Sequence, residues 1–279
     1  MTDPRHTFAL ALRSPDLVGV KDKAGWLALF HPEGFVEDPV EAGRYRGAEQ
    51  ISLFWDVFIG PQPSVGFDVK RDFFGLHTLI RQATVVSITE ADPVAVLPVP
   101  AMIAYKLKDG LVGSLQAVWE PRHVIAWFLK MKIAGMRALG KHGARMIGRA
   151  GVLNGLRFGR TLISGMHHND ARALVMAIVS GDSSQWTCLP TAKITIGCET
   201  AEEAFDGAPD PAILRLQSHA SLPLARLAIE QIVVCGAYVG AFLADPNSDG
   251  ALALMLRVKR SEVAEMTALW SSTRRVLGA

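Results

Sequence analysis

A chain of 279 residues suits one large or two ordinary domains, and either size buries a proper core. With 49% hydrophobic and 20% charged residues it is globular, which excludes a disordered tail or linker protein. A formal charge of +2, from 29 basic and 27 acidic residues, identifies no partner by itself, so the distribution of charge matters more than its sum.

The N-terminal stretch MTDPRHTFALALRSPD has too short an apolar run for a secretory leader. No uncharged apolar run reaches the roughly 18 residues of a spanning helix. Cys188, Cys198 and Cys235 are odd in number and have no metal-ligand spacing, so they read as buried thiols in a reducing compartment. The expected location is cytoplasmic, with peripheral contact at a membrane.

The segment AGWLALF places Trp26, Leu27, Leu29 and Phe30 on one helix face. A turn rich in Pro and Gly follows, HPEGFVEDP, and then a second helix, GAEQISLFWDVF. From about Val65 the pattern turns to strands: LHTLIRQATVVSITE, then VAVLPVPAMIAYKLKDG, whose Asp109-Gly110 is a strong hairpin signal, then LVGSLQAVWEP. Helices followed by antiparallel strands argue for α+β, with helices packed on one face of a curved sheet.

Between Glu120 and Asp170 there is no acidic residue, while nine Lys or Arg occur. Arg137, Lys141, Arg145 and Arg149 fall at i, i+4, and Met136, Leu139, Met146 and Leu153 mark another face, which describes a basic amphipathic helix. Gly151, Gly155 and Gly159 form a series that permits close helix approach. An interdomain connector is the first reading and contact with an anionic membrane surface the second. Nucleic acid ranks last, because no aromatic-basic array supports it. His167-His168 lacks a third ligand nearby and reads as linker polarity, so no metal is expected.

Past residue 170 the order of elements repeats. ARALVMAIVSGDSSQW reads as a helix, and QIVVCGAYVGAFLAD and GALALMLRVKR as strands across PNSDG. GLVGSLQAVW and SEVAEMTALW align with their tryptophans, Trp119 and Trp270, 151 residues apart. This echo at domain length suggests a tandem duplication. The expected division is a first domain over residues 1–120, a basic helical connector over 121–169 and a second domain over 170–279.

The carboxylate pair in VEDPV raises the question of chemistry. Read from the residues alone, Asp38 before Pro39 is either a turn residue accepting backbone hydrogen bonds or a base on a pocket wall. Glu37 should face the other way and be solvated. The elements W-x-x-L-F at Trp26–Phe30, VEDPV at 36–40, GAEQISLFW at 47–55 and KDGLVGSLQAVWEP at 108–121 resemble the nuclear-transport-factor-2-like (NTF2-like) superfamily, specifically its ketosteroid-isomerase and SnoaL-like branch. The resemblance covers about residues 15–120 and implies two tandem cone-shaped α+β domains, the second degenerate.

The resemblance also implies that Asp38 is the general base, working against an oxyanion hole made of a Tyr and a protonated Asp. Those two positions fall on Ser14 and Ile103, so both family donors are missing. Tyr105, on the strand face of Ile103, and His77 are the candidate replacements, with Trp119 as a further donor or pocket wall. Trp26, Phe54 and Ile103 are expected to line the substrate pocket. In the second copy AKITIGCE offers only Ile196 or Cys198 where the base would stand.

The implied activity is a steroid Δ-isomerase-like proton shift on a hydrophobic ketone, steroid-like or polyketide-like. The alternatives are a non-catalytic steroid- or lipid-binding module, or a SnoaL-like cyclase or epoxide hydrolase on the same scaffold. No glycine-rich phosphate loop follows a strand, so no cofactor is expected. The expected partners are the small hydrophobic substrate and a membrane surface touching residues 121–160, with no nucleic acid. Domain pairing is expected to be intramolecular or homodimeric.

Overall fold

A computed structural model describes residues 4–89, 92–182, 184–206 and 224–271. Four short helices open the chain: α1 (Pro4–Thr7), α2 (Ala9–Leu12), α3 (Ser14–Gly19) and α4 (Lys23–Leu27). Then come β1 (Phe30–Glu37), β2 (Tyr45–Arg46), α5 (Gly47–Phe54) with a π-helical turn over Trp55–Ile59, and four long strands. These are β3 (Ser64–Phe74), β4 (Thr78–Thr89), β5 (Asp92–Lys108) and β6 (Leu111–Trp119). The sheet runs β2-β1-β6-β5-β4-β3, with β1 parallel to β6 and every other pair antiparallel.

Three helices follow, α6 (Pro121–Lys130), α7 (Lys132–Ala150) and α8 (Val152–Ile163), and then α9 (His168–Ser180). The second sheet uses β7 (Cys188–Cys198), β8 (Ala201–Asp206), β9 (Ala228–Cys235), β10 (Tyr238–Ala244), β11 (Ala251–Lys259) and β12 (Glu262–Ser271). Its order is β8-β7-β12-β11-β10-β9, again with one parallel pair, β12 on β7. The two sheets share one topology, so the α+β tandem expected from the sequence echo is present. Among the described residues no helix is long and apolar enough to cross a membrane.

The near-continuous apolar text of β5 has a physical cause over residues 101–105, where the strand is buried on both faces. Leu97, Val99, Ala101, Ile103 and Tyr105 point into the first unit, while Met102 and Ala104 point out of it. The outward residues join Ile80, Phe73 and Val118 against Val233, Phe242, Ala253 and Leu269 of the second sheet, so the two units pack back to back. Polar contacts frame this seam. Glu202 accepts from the Thr78 amide and hydroxyl, Gln82 donates to Gln231, and the Ala237 amide donates to Glu41.

Several local expectations change. The AGWLALF helix stops at Leu27, and Phe30 opens β1 because the sheet recruits it beside Val112. QIVVCGAYVGAFLAD is a hairpin, folded at Gly236 with φ of +56°, a turn hidden inside an apolar run. Gly151 ends α7 at φ of +86°, and a side chain at Gly151 or Gly159 would meet nothing. The glycine series is therefore no close-packing seam, and only Gly155, against Ile147, is crowded.

Candidate active site

Asp38 follows β1, and the register Glu37↔Gln116 sets it level with Ala117 of β6. Its side chain enters a cavity of about 420 Å³ enclosed by the inner face of the first sheet, α3–α5 and the three helices after β6. That volume lies within the ordinary range for small-molecule sites. The walls are Trp26, Phe54, Phe58, Val85, Val99 and Ile103, with Asp38 the acidic group among them. Asp38 keeps some accessible surface because it faces this space, yet burial pushes its carboxyl from 3.8 up to about 6. The Trp119 indole N–H donates to Asp38 Oδ1 at 2.5 Å and partly counters that rise.

Deeper in the cavity stands a second polar group. Trp26 Nε1 donates to Ser14 Oγ at 3.0 Å, and the Ser14 hydroxyl hydrogen-bonds the Tyr105 phenol. Ser14, Trp26 and Tyr105 all line the cavity. These three residues hold three donor hydrogens, and the two bonds between them use two. One O–H hydrogen is left over; in the order Trp26→Ser14→Tyr105 it is the phenol's. Burial raises the Tyr105 phenol above its usual range, so it stays neutral and able to donate. The buried Arg81 guanidinium works against that rise.

Arg81 sits beside Ile103 on the inner sheet face, bound twice to Asp72 at 2.7 and 2.8 Å. Its Nη1 has no hydrogen-bond partner among the described residues. From β1 to β5 is two strand spacings, roughly 10 Å, and Tyr105 lies level with Leu115, two residues or roughly 7 Å below Ala117. A planar ring therefore has room between Asp38 and Tyr105.

Of the residues singled out from the sequence, Asp38, Trp119, Tyr105, Trp26, Phe54 and Ile103 meet in this cavity. His77 does not. It is exposed on the turn before β4, where its amide donates to Glu202, so it cannot serve as a donor here. Glu37 points away from the cavity as expected, but it is buried instead of solvated, bound by Arg44 at 3.0 Å and Gln116 at 3.1 Å.

The connector contributes what sequence reasoning missed. Val124, Ile125, Phe128, Leu139, His142, Met146, Phe158 and Leu162 close the cavity mouth as a lid. The His142 ring packs on Phe58 at 5.5 Å, and Arg122 caps α8 by donating to the Leu162 carbonyl at 2.6 Å. Leu139 and Met146 were legible as one apolar face. Met136 and Leu153, grouped with them by spacing, are exposed instead.

At the matching described positions of the second unit the polar groups of this site are replaced by apolar ones. The register of β7 on β12 puts Ile196 opposite Ala268, the position Asp38 holds opposite Ala117. By the same pairing Leu254, Leu256 and Ala241 stand for Ile103, Tyr105 and Arg81. All four are buried in one apolar core with Trp186 and Trp270.

Fold and site together define an α+β, cone-like unit with an acidic group in an apolar cavity, fused to a second unit of the same strand order. No family model and no curated protein matches the chain. Solved structures do resemble it, each over about one unit. A Mycobacterium tuberculosis protein in complex with estradiol-17beta-hemisuccinate is 18% identical, over 43% of this chain and 96% of that one, at TM-score 0.39. The Δ5-3-ketosteroid isomerase from Mycobacterium sp. is 23% identical, over 42% and 94%, at 0.38. The epoxide hydrolase/cyclase-like enzyme SalBIII is 15% identical, over 43% and 94%, at 0.38.

Proposed function

We propose that the chain catalyses a steroid Δ-isomerase-like proton shift on a hydrophobic ketone, with residues 1–120 carrying the reaction, 121–169 covering it and 170–279 bracing it. The supporting observation is the pairing of a raised Asp38 carboxyl with a spare hydroxyl donor, at Tyr105 or Ser14, across one apolar cavity. The ketone lies between them with its oxygen on the hydroxyl. Asp38 takes a proton from the carbon next to the carbonyl, and the electron pair moves onto that oxygen as a dienolate. Tyr105 donates a hydrogen bond to the developing charge, and Asp38 returns the proton to a carbon further along the conjugated system. A base that ionises near 6 is poised for this exchange at neutral pH.

The partners in this reading are the small hydrophobic substrate and, through residues 121–160, a membrane surface. A carrier without turnover is the second reading, favoured by Ser14 and Ile103 standing where the resemblance implies a Tyr and an Asp. A Δ5-3-ketosteroid offered to wild type, Asp38→Asn and Tyr105→Phe separates the two, with the conjugated enone followed by absorbance. The isomerase reading expects turnover by wild type, reduced about 10²–10⁴-fold in Asp38→Asn and about 10²–10³-fold in Tyr105→Phe. No turnover, with tight steroid binding indifferent to Asp38→Asn, establishes the carrier instead.

A further inference from the structure

The three lid helices have two apolar sides, and only one of them is used by the cavity. On α7, Leu139, His142 and Met146 face inward, while Ile133, Met136 and Ile147 face solvent. On α8, Phe158 and Leu162 face inward, while Val152, Leu153, Leu156 and Ile163 are exposed, Leu156 by 66% and Ile163 by 85%. With Leu129 of α6, this segment holds eight of the twelve large exposed apolar residues among those described. Lys130, Lys132, Arg137, Arg149, Arg157 and Arg160 are exposed among them, and residues 121–169 contain no Asp or Glu.

We infer that α6–α8 dock on an anionic phospholipid surface, with the aliphatic side chains inserted below the headgroups and the basic ones among them. Exposed aliphatic residues interleaved with Lys and Arg are the composition of an interfacial helix, and an outer patch of this extent calls for a covering surface. The charge selects the occupant. A second copy docked through the same segment would set these six exposed Lys and Arg against six more from a stretch without Asp or Glu, whereas an anionic bilayer neutralises them. The cavity gives independent support, because the inner side of the same helices roofs an apolar chamber. A ligand suited to that chamber partitions into the bilayer on which the lid rests. The inference rests on the membrane contact proposed above and gives it a lipid class, but it stands without the chemistry of Asp38.

Co-sedimentation of the full chain with vesicles tests it, comparing phosphatidylcholine alone with phosphatidylcholine containing phosphatidylserine. Wild type is expected to pellet with the anionic vesicles, less so as salt rises, and to stay in solution with phosphatidylcholine alone. Each basic residue at the surface adds about fivefold to partitioning, so Arg137→Glu/Arg149→Glu/Arg160→Glu should lose at least about a hundredfold. Leu153→Ser/Leu156→Ser/Ile163→Ser should also lose binding, with far-ultraviolet dichroism confirming that the helices remain. Asp38→Asn should bind as wild type does, whether or not steroid turns over in solution, which keeps the two readings separable.

Failure of wild type to pellet with anionic vesicles, equal pelleting with both kinds, or wild-type binding by the triple arginine variant would overturn the inference. So would a concentration-dependent dimer, broken by the apolar substitutions, in a chain that ignores lipid; the second copy would then be the occupant.

Discussion

Asp38 carries an electrostatic cost that a neutral isostere lacks. Its carboxyl sits at about 6 in the folded chain against an ordinary 3.8, and desolvation is the main cause. Below 3.8 both folded and unfolded forms are protonated, so the group has no effect on stability. As pH rises towards 6 the unfolded carboxyl ionises freely and the folded one does not, so stability falls and stays lower above 6. The full difference corresponds to about 3 kcal/mol. Asp38→Asn keeps an oxygen to accept from Trp119 and should therefore be more stable than wild type by up to that amount at about pH 8. The gap should close as the pH falls towards 3.8, which denaturant unfolding across the range would read.

The same ionisation should appear in catalysis, as a kcat/KM that rises through about pH 6 and then levels. Trp119→Phe removes the donor that favours the carboxylate, so the rising limb should move to higher pH, by about one pH unit. A limb that stays in place would mean that another group titrates.

Arg81 and Asp72 join β4 to β3 beneath Tyr105, and both are buried. Asp72→Ala strands a guanidinium without its counter-charge and should cost about 3–5 kcal/mol, while Arg81→Met/Asp72→Leu should recover most of it. The double variant should also leave Tyr105 titrating higher, because Arg81 is what opposes burial there. Ultraviolet titration of the phenol would show this, and an unchanged titration would remove Arg81 from the account.

At this scale much of the fold was legible. Period-two text and Asp109-Gly110, both at positive φ, mark β5 and β6, and the alternation from Ile103 leads to Tyr105. His77 escaped the same logic because the chain turns at Leu76-His77 before the alternation of β4 starts. The lid was half legible. Helical spacing reveals apolar faces on α7 and α8, but it does not tell which face meets the protein, and that depends on a cavity mouth assembled from distant strands.

The two units share a topology but differ at the positions that form the site. Asp38, Tyr105 and Arg81 correspond to Ile196, Leu256 and Ala241, so at these three positions the second unit has aliphatic side chains where the first has polar groups around a cavity. A unit holding a cavity of about 420 Å³ and a desolvated carboxyl forgoes packing that a fully packed interior would retain. The second sheet can offset that loss only through the seam it shares with the first, where Phe73 and Phe242 stack at 5.8 Å among Ile80, Met102 and Leu269.

Coupling of this kind predicts one cooperative transition for the whole chain, with tryptophan fluorescence and far-ultraviolet dichroism coinciding. Phe242 is fully buried, and truncating it to Ala should cost about 3–5 kcal/mol. The loss falls at the seam, so the first unit should unfold ahead of the second, and the two probes should separate because Trp26, Trp55, Trp119 and Trp127 all precede the second sheet. Probes that already separate in wild type would mean that each unit stands alone and that the seam does not couple the second unit to the first.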